Sequence, residues 1–111
     1  MRGRLELWLF VVQRASALVL VPLILVHLAT MIYAIQGGLS AAEITARVQG
    51  SPVWPAFYRL LVVAAGVHGA IGLRTIVGEM TPWRGRSLDA AALAFAVACL
   101  GFGFRAVGAL T

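Results

Sequence analysis

Charge is scarce in this chain. Only 12% of its 111 residues are charged, against roughly 25% in an average soluble domain. Lysine is absent, so all nine basic positions are arginine, and only four residues are acidic. The hydrophobic share is 61% and the mean hydropathy +0.94. One domain of this length cannot hide that much apolar surface from water, which excludes a water-soluble globule and leaves the bilayer as the natural solvent. Cysteine is nearly absent too. Cys99 stands alone in an apolar run, forms no intrachain disulfide and reads as a small buried filler. There is no Cys-x-x-Cys pair, no glycine-rich phosphate loop and no nucleophile–base pair, so the chain is not expected to catalyse a reaction alone. No carboxylate lies within the core of an apolar run, which argues against a small proton-coupled transporter.

What is present is three long apolar runs. Ala15 to Ile35 carries no charge over 21 residues, and about 20 suffice for a helix to cross the hydrocarbon core. Pro22 lies inside this run, where a membrane helix tolerates it, and Gly37-Gly38 ends it. The run has no small-residue cleavage site and reads as a retained helix rather than a signal peptide. A second run is centred on Leu60 to Leu73, with Arg59 and Arg74 able to snorkel to the headgroups at its ends. A third begins near Leu88. The fold class expected is therefore an all-α membrane protein with one membrane-anchor domain over 1–111. Its spans fall at about 14–36, 55–78 and 88–110, and the three helices form part of a larger bundle. Ser40 and Glu43 fit a capping box for a short surface helix over 40–49.

The net charge of +5 would suggest nucleic acid in a soluble protein. Here the arginines flank apolar runs, so they read as orientation signals, and no nucleic-acid partner is expected. Arg2, Arg4 and Arg14 precede the first span, and Arg74, Arg84 and Arg86 surround the second loop. Only Arg47 and Arg59 border the first loop. This asymmetry puts the N-terminus on the cytoplasmic side of the membrane.

Two histidines, His27 and His68, each lie inside a span. An ionisable group at that depth is a functional hypothesis by default. Axial ligation of a b-type haem is one reading, and a hydrogen bond to a neighbouring helix is the other. Ala64, Ala65, Gly69 and Gly72 lie within a turn of His68 and give it little side-chain bulk. Ordinary small-residue helix packing uses the same residues. His27 has bulkier neighbours in Leu23, Ile24 and Met31. Arg14 and Ser16 open the first span, either as an interface anchor or as hydrogen-bond partners of a quinone carbonyl or a haem propionate. Arg74 lies about 9 Å along the helix from His68, within range of a propionate or simply as a snorkelling anchor. Measured inward from Ala15 and Arg74, His27 lies roughly 18 Å deep and His68 about 9 Å deep. The two are therefore expected not to ligate one iron.

Two segments carry a resemblance. Gln13-Arg14-Ala15-Ser16-Ala17, opening a span, resembles the Arg-x-Ser/Thr-Gly/Ala start of the small membrane-anchor subunits of succinate dehydrogenase and fumarate reductase, respiratory complex II. His68-Gly69-Ala70-Ile71-Gly72-Leu73-Arg74 resembles the His-x-x-x-Gly segment of their second helix. The resemblance implies a haem b- and quinone-binding anchor that passes electrons between an iron–sulfur subunit and the quinone pool. It implies one or two haems per complex, shared with a second membrane-anchor chain. His68 would be a haem ligand, with His27 a further candidate, and Arg14, Ser16 and Arg74 would line the cofactor sites. The flavoprotein and iron–sulfur subunits would dock on the cytoplasmic face of the inner membrane, with lipid around the helices. Glu79 and Met80 stand where some relatives carry Asp and a quinone-binding Tyr, so that role falls elsewhere. The alternatives are a small membrane transporter and a non-haem structural or assembly subunit.

Overall fold

The structure is a computed structural model that describes residues 2–111; Met1, and the side chain of Arg2 among the arginines counted above, lie outside the described residues. Four helices follow in order: α1 (Arg2–Gln36), α2 (Ala41–Gln49), α3 (Val53–Met80) and α4 (Arg86–Leu110). No strand occurs among the described residues. Three of the helices, α1, α3 and α4, are long and apolar enough to cross a membrane.

Helix α1 begins some twelve residues before the expected span and continues through Pro22. The early start has a packing reason. Helix α3 runs antiparallel to α1 as far as Met80, and residues 2–14 lie alongside its last turns. Glu6 stands opposite Arg74, Gln13 opposite Gly72, Ser16 opposite His68 and His27 opposite Tyr58. The helix stops at a Schellman motif. Gly38 takes φ +64°, its N–H donates to the Ile35 carbonyl, and the Leu39 N–H donates to the Ala34 carbonyl.

The short helix α2 starts at the Ser40–Glu43 capping box, with both reciprocal bonds made. Its Val48 is 3% exposed, so α2 is pinned to the bundle end. The Gln49 side chain donates to the backbone of Thr111 there.

Helix α3 is the central span, packed against α1 on one side and α4 on another. Small residues allow the approach. A Cβ added at Gly66 would meet Leu100 and Cys99, and one at Gly103 would overlap Val62. This is small-residue packing of the kind that joins membrane helices; Cys99 takes part in it but is half-buried rather than buried. Elsewhere the large apolar side chains point outward: Leu18 is 76% exposed, Ile35 75% and Phe102 74%. Apolar surface on that scale needs lipid or protein to cover it.

Candidate cofactor site

The antiparallel order gathers the N-terminus of α1, the C-terminus of α3 and the N-terminus of α4 at one end. Arg74 joins them. Its Nη1 and Nη2 donate to the two Glu6 carboxylate oxygens at 3.2 and 2.7 Å, and its Nε donates to Asp89 Oδ1 at 2.7 Å. The Arg74 side chain is 11% exposed, Glu6 53% and Asp89 27%. A planar guanidinium suits such two-sided recognition. Neither the anchor nor the propionate reading of Arg74 anticipated carboxylate partners. Glu6 lies in a stretch that the sequence placed before the span, and Asp89 is on a different helix.

Nearly two turns deeper, Ser16 and His68 meet. The Ser16 hydroxyl donates to the Gln13 carbonyl at 2.9 Å, and the Ser16 oxygen lies 3.3 Å from His68 Nδ1. Serine has a single proton. With it given to Gln13, Ser16 accepts from Nδ1–H of His68. That pairing corresponds to the tautomer with its proton on Nδ1, one of the two that this contact admits. His68 lines a cavity of about 640 Å³ together with Gln13, Arg14, Gly72 and Arg74, a volume in the range of small-molecule sites. Arg14 stacks over the Phe10 ring at 4.9 Å and has no carboxylate partner among the described residues. Gln13 Oε1 is buried and has no hydrogen-bond partner.

The small residues around His68 divide between tasks. Gly69 faces Phe95 of α4, Ala64 is buried, Gly72 lies close against the Gln13 amide, and Ala65 is exposed. Gly69, Ala64 and Gly72 therefore serve helix packing, and Ala65 points away from it.

At the opposite end, a cavity of about 600 Å³ lies under α2. His27, Tyr33, Arg47, Trp54 and Tyr58 line it. Tyr58 packs edge-on against the His27 ring at 5.8 Å, Arg47 sits over the Tyr33 ring and donates to its hydroxyl, and His27 Nδ1 is buried without a partner. His27 is level with Tyr58, ten residues before His68. The histidines are therefore about 15 Å apart along the bundle. The sequence estimate was smaller because it took Ala15 and Arg74 as level, whereas Arg74 lies beside Glu6 and nearer the helix end.

Over residues 1–104 the chain matches the succinate dehydrogenase/fumarate reductase transmembrane subunit family. The chain belongs to that family. No curated protein and no solved structure matches it. This anchor subunit is thus a multi-pass membrane protein that associates with other complex II subunits. Among its described residues no group of three His, Cys, Asp or Glu side chains could hold a metal ion alone, so the donor available at either cavity is a single imidazole. That donor set suits an axial position of haem, whose iron is otherwise held by its own macrocycle. The two histidines differ in that His68 has a partner on Nδ1 and His27 has none.

Proposed function

We propose that this anchor subunit holds a b-type haem through His68 and borders a quinone site at its arginine-rich end, and so passes electrons between an iron–sulfur subunit and the membrane quinone pool. The carrying observation is the chain of contacts from the Gln13 carbonyl through Ser16 Oγ to His68 Nδ1, beside a cavity that His68 lines; with the proton on Nδ1, Nε2 is the ring nitrogen left for a ligand. Outer hydrogen bonds of this kind orient a ligating imidazole and raise its basicity. The haem, when bound, supplies one-electron transfer. The protein's part is to present one imidazole, to set its tautomer and to keep a cation, Arg14, within reach of a propionate or a quinone carbonyl. Arg74 is committed to Glu6 and Asp89 and supports the site by holding the helix ends together.

A second membrane-anchor chain would supply a further ligand to the haem and the rest of the quinone pocket, and would cover part of the outward apolar surface. His27, about 15 Å further along the bundle, serves a second haem or none. The flavoprotein and iron–sulfur subunits dock at the Arg74 end, on the cytoplasmic face of the inner membrane, and the chain has no turnover alone.

Reduced-minus-oxidised spectra of the complex, with haem quantified, test this reading. His68→Ala is expected to remove one haem per copy of this chain. Full haem content with an unchanged spectrum rejects it and leaves a structural anchor with non-ligating histidines.

A further inference from the structure

Helix geometry locates the membrane boundary at the α2 end of the bundle. On α3, Arg74 and Trp54 stand about 30 Å apart along the axis, and on α4 so do Asp89 and Ala109. That distance matches the hydrocarbon thickness of a bilayer, about 30 Å. Arg59 and Arg105 lie just inside the Trp54–Ala109 plane and at nearly one depth, because Gly103 abuts Val62. Both are exposed and have no carboxylate partner among the described residues, so their guanidinium groups reach out to the headgroups. Trp54, Phe57 and Tyr58 touch one another at this height, where aromatic rings collect at a membrane surface. The cavity of about 600 Å³ under α2 therefore rises from the edge of the hydrocarbon into the headgroup layer.

The polar groups of that cavity are set to give hydrogen bonds. Tyr33 accepts from Arg47 at 3.2 Å, and Ser51 accepts from the Val53 N–H at 3.2 Å. Each hydroxyl so keeps its own proton to donate. Arg47 is exposed and uses one of its five donors on Tyr33, and the indole of Trp54 is a donor only. Thr30 gives its proton to the His27 carbonyl at 2.7 Å. No carboxylate lines the cavity, and Glu43 of α2 is held by Ser40 in the capping box. The remaining wall is apolar, with Met31, Ile44, Val48 and Leu110. A cation and free hydroxyls above apolar walls fit an anion that carries a hydrocarbon tail.

We propose that the cavity under α2 holds one anionic phospholipid of the adjacent leaflet: Arg47, Tyr33 and Ser51 donate to its phosphate, and an acyl chain lies along the apolar wall toward Leu110. Charge complementarity selects the headgroup, since an ammonium group there meets Arg47 and no carboxylate. Helix α2 acts as a clasp, pinned by Val48 and by the bond from Gln49 to Thr111. This occupant leaves His27 without a haem.

The test uses the assembled complex in detergent, with haem quantified. Bound lipid is counted by native mass spectrometry after exchange into phosphatidylglycerol or phosphatidylcholine. Wild type is expected to retain phosphatidylglycerol in preference to phosphatidylcholine; equal retention overturns the proposal. Arg47→Gln should lose one phosphatidylglycerol per copy of this chain, and Arg59→Gln, whose arginine lies outside the cavity, should lose none. An unchanged count in Arg47→Gln overturns the proposal, as does the same loss in both variants, which assigns the lipid to the boundary at large. Should Arg47→Gln cost haem through misfolding, Tyr33→Phe decides. It keeps the ring beneath Arg47 and removes only the hydroxyl, so weaker retention supports the site and wild-type retention overturns it. Inorganic phosphate should leave the lipid in place; displacement assigns the rim to a free ion instead. His27→Ala should keep full haem content, and loss of a haem there assigns the cavity to a second haem and overturns the proposal.

Discussion

Ser16 Oγ stands between the Gln13 carbonyl and His68 Nδ1, at 2.9 and 3.3 Å. That placement inside α1 makes the serine a partner that orients the imidazole. Ser16→Ala is expected to weaken haem retention by about 10–100-fold, the usual cost of an outer-shell loss, and to alter the spectrum of the remaining haem. Ser16→Thr, which keeps the hydroxyl, restores both; titration of haem into depleted complex reads the difference. Wild-type retention in Ser16→Ala means that His68 is oriented by something else. The histidines themselves stood out in the sequence because an imidazole in an apolar run demands an explanation. The serine stood out beside Arg14 at the start of the first span, as a candidate partner of a quinone or a propionate rather than of His68, and Gln13 not at all as a ligand. A hydrogen bond across 52 residues and an orphaned amide oxygen have no local sequence signal.

At the scale of the helices, two devices hold α3 between its neighbours. Small residues set the α3–α4 distance, and Gly103→Ala forces a methyl into Val62. Overpacking of this kind costs about 1–3 kcal/mol. Thermal unfolding of the complex in detergent should show a lower midpoint for Gly103→Ala, recovered in the double variant with Val62→Ala. Gly101→Ala, with open space around its Cβ, serves as the control and should leave the midpoint in place. The other device is the Arg74 node. Arg74→Met removes a largely covered cation and leaves two carboxylates side by side, so it should destabilise more than Glu6→Gln, whose side chain is half exposed and therefore partly screened. A Glu6→Gln loss equal to that of Arg74→Met contradicts this ranking. The sequence showed the spans and the α2 cap because both are written locally, in apolar length and in Ser40 with Glu43. It did not show that α1 begins at Arg2. The residues before Arg14 have no uncharged run of membrane length, and they are helical because α3 runs beside them.

For the whole molecule, the two ends differ in charge and in chemistry. One carries the arginine-rich termini, the Arg74 node and the His68 cavity; the other carries α2, the aromatic-lined His27 cavity and the C-terminus. Single cysteines placed at positions 3 and 38, in a background where Cys99 is replaced by Ala, report the orientation. An impermeant thiol reagent should label position 3 from the cytoplasmic side and position 38 from the other. The reverse pattern inverts the proposed docking of the partner subunits. Composition alone determined that this protein lives in a bilayer, since 61% apolar residues with so few charges leave no other solvent. Apolar run length determined three spans, and arginine placement singled out one end. These properties are sums over local sequence and survive without any knowledge of contacts. Tertiary structure alone decided which residues face one another: Ser16 with His68, Gln13 with Gly72, and Arg74 with both Glu6 and Asp89. It also set the 15 Å separation of the histidines. Those pairings depend on the axial register of antiparallel helices, where a shift of one turn moves each residue about 5.4 Å along its neighbour. That register is chosen jointly by small-residue packing and one ion-pair node far apart in the chain.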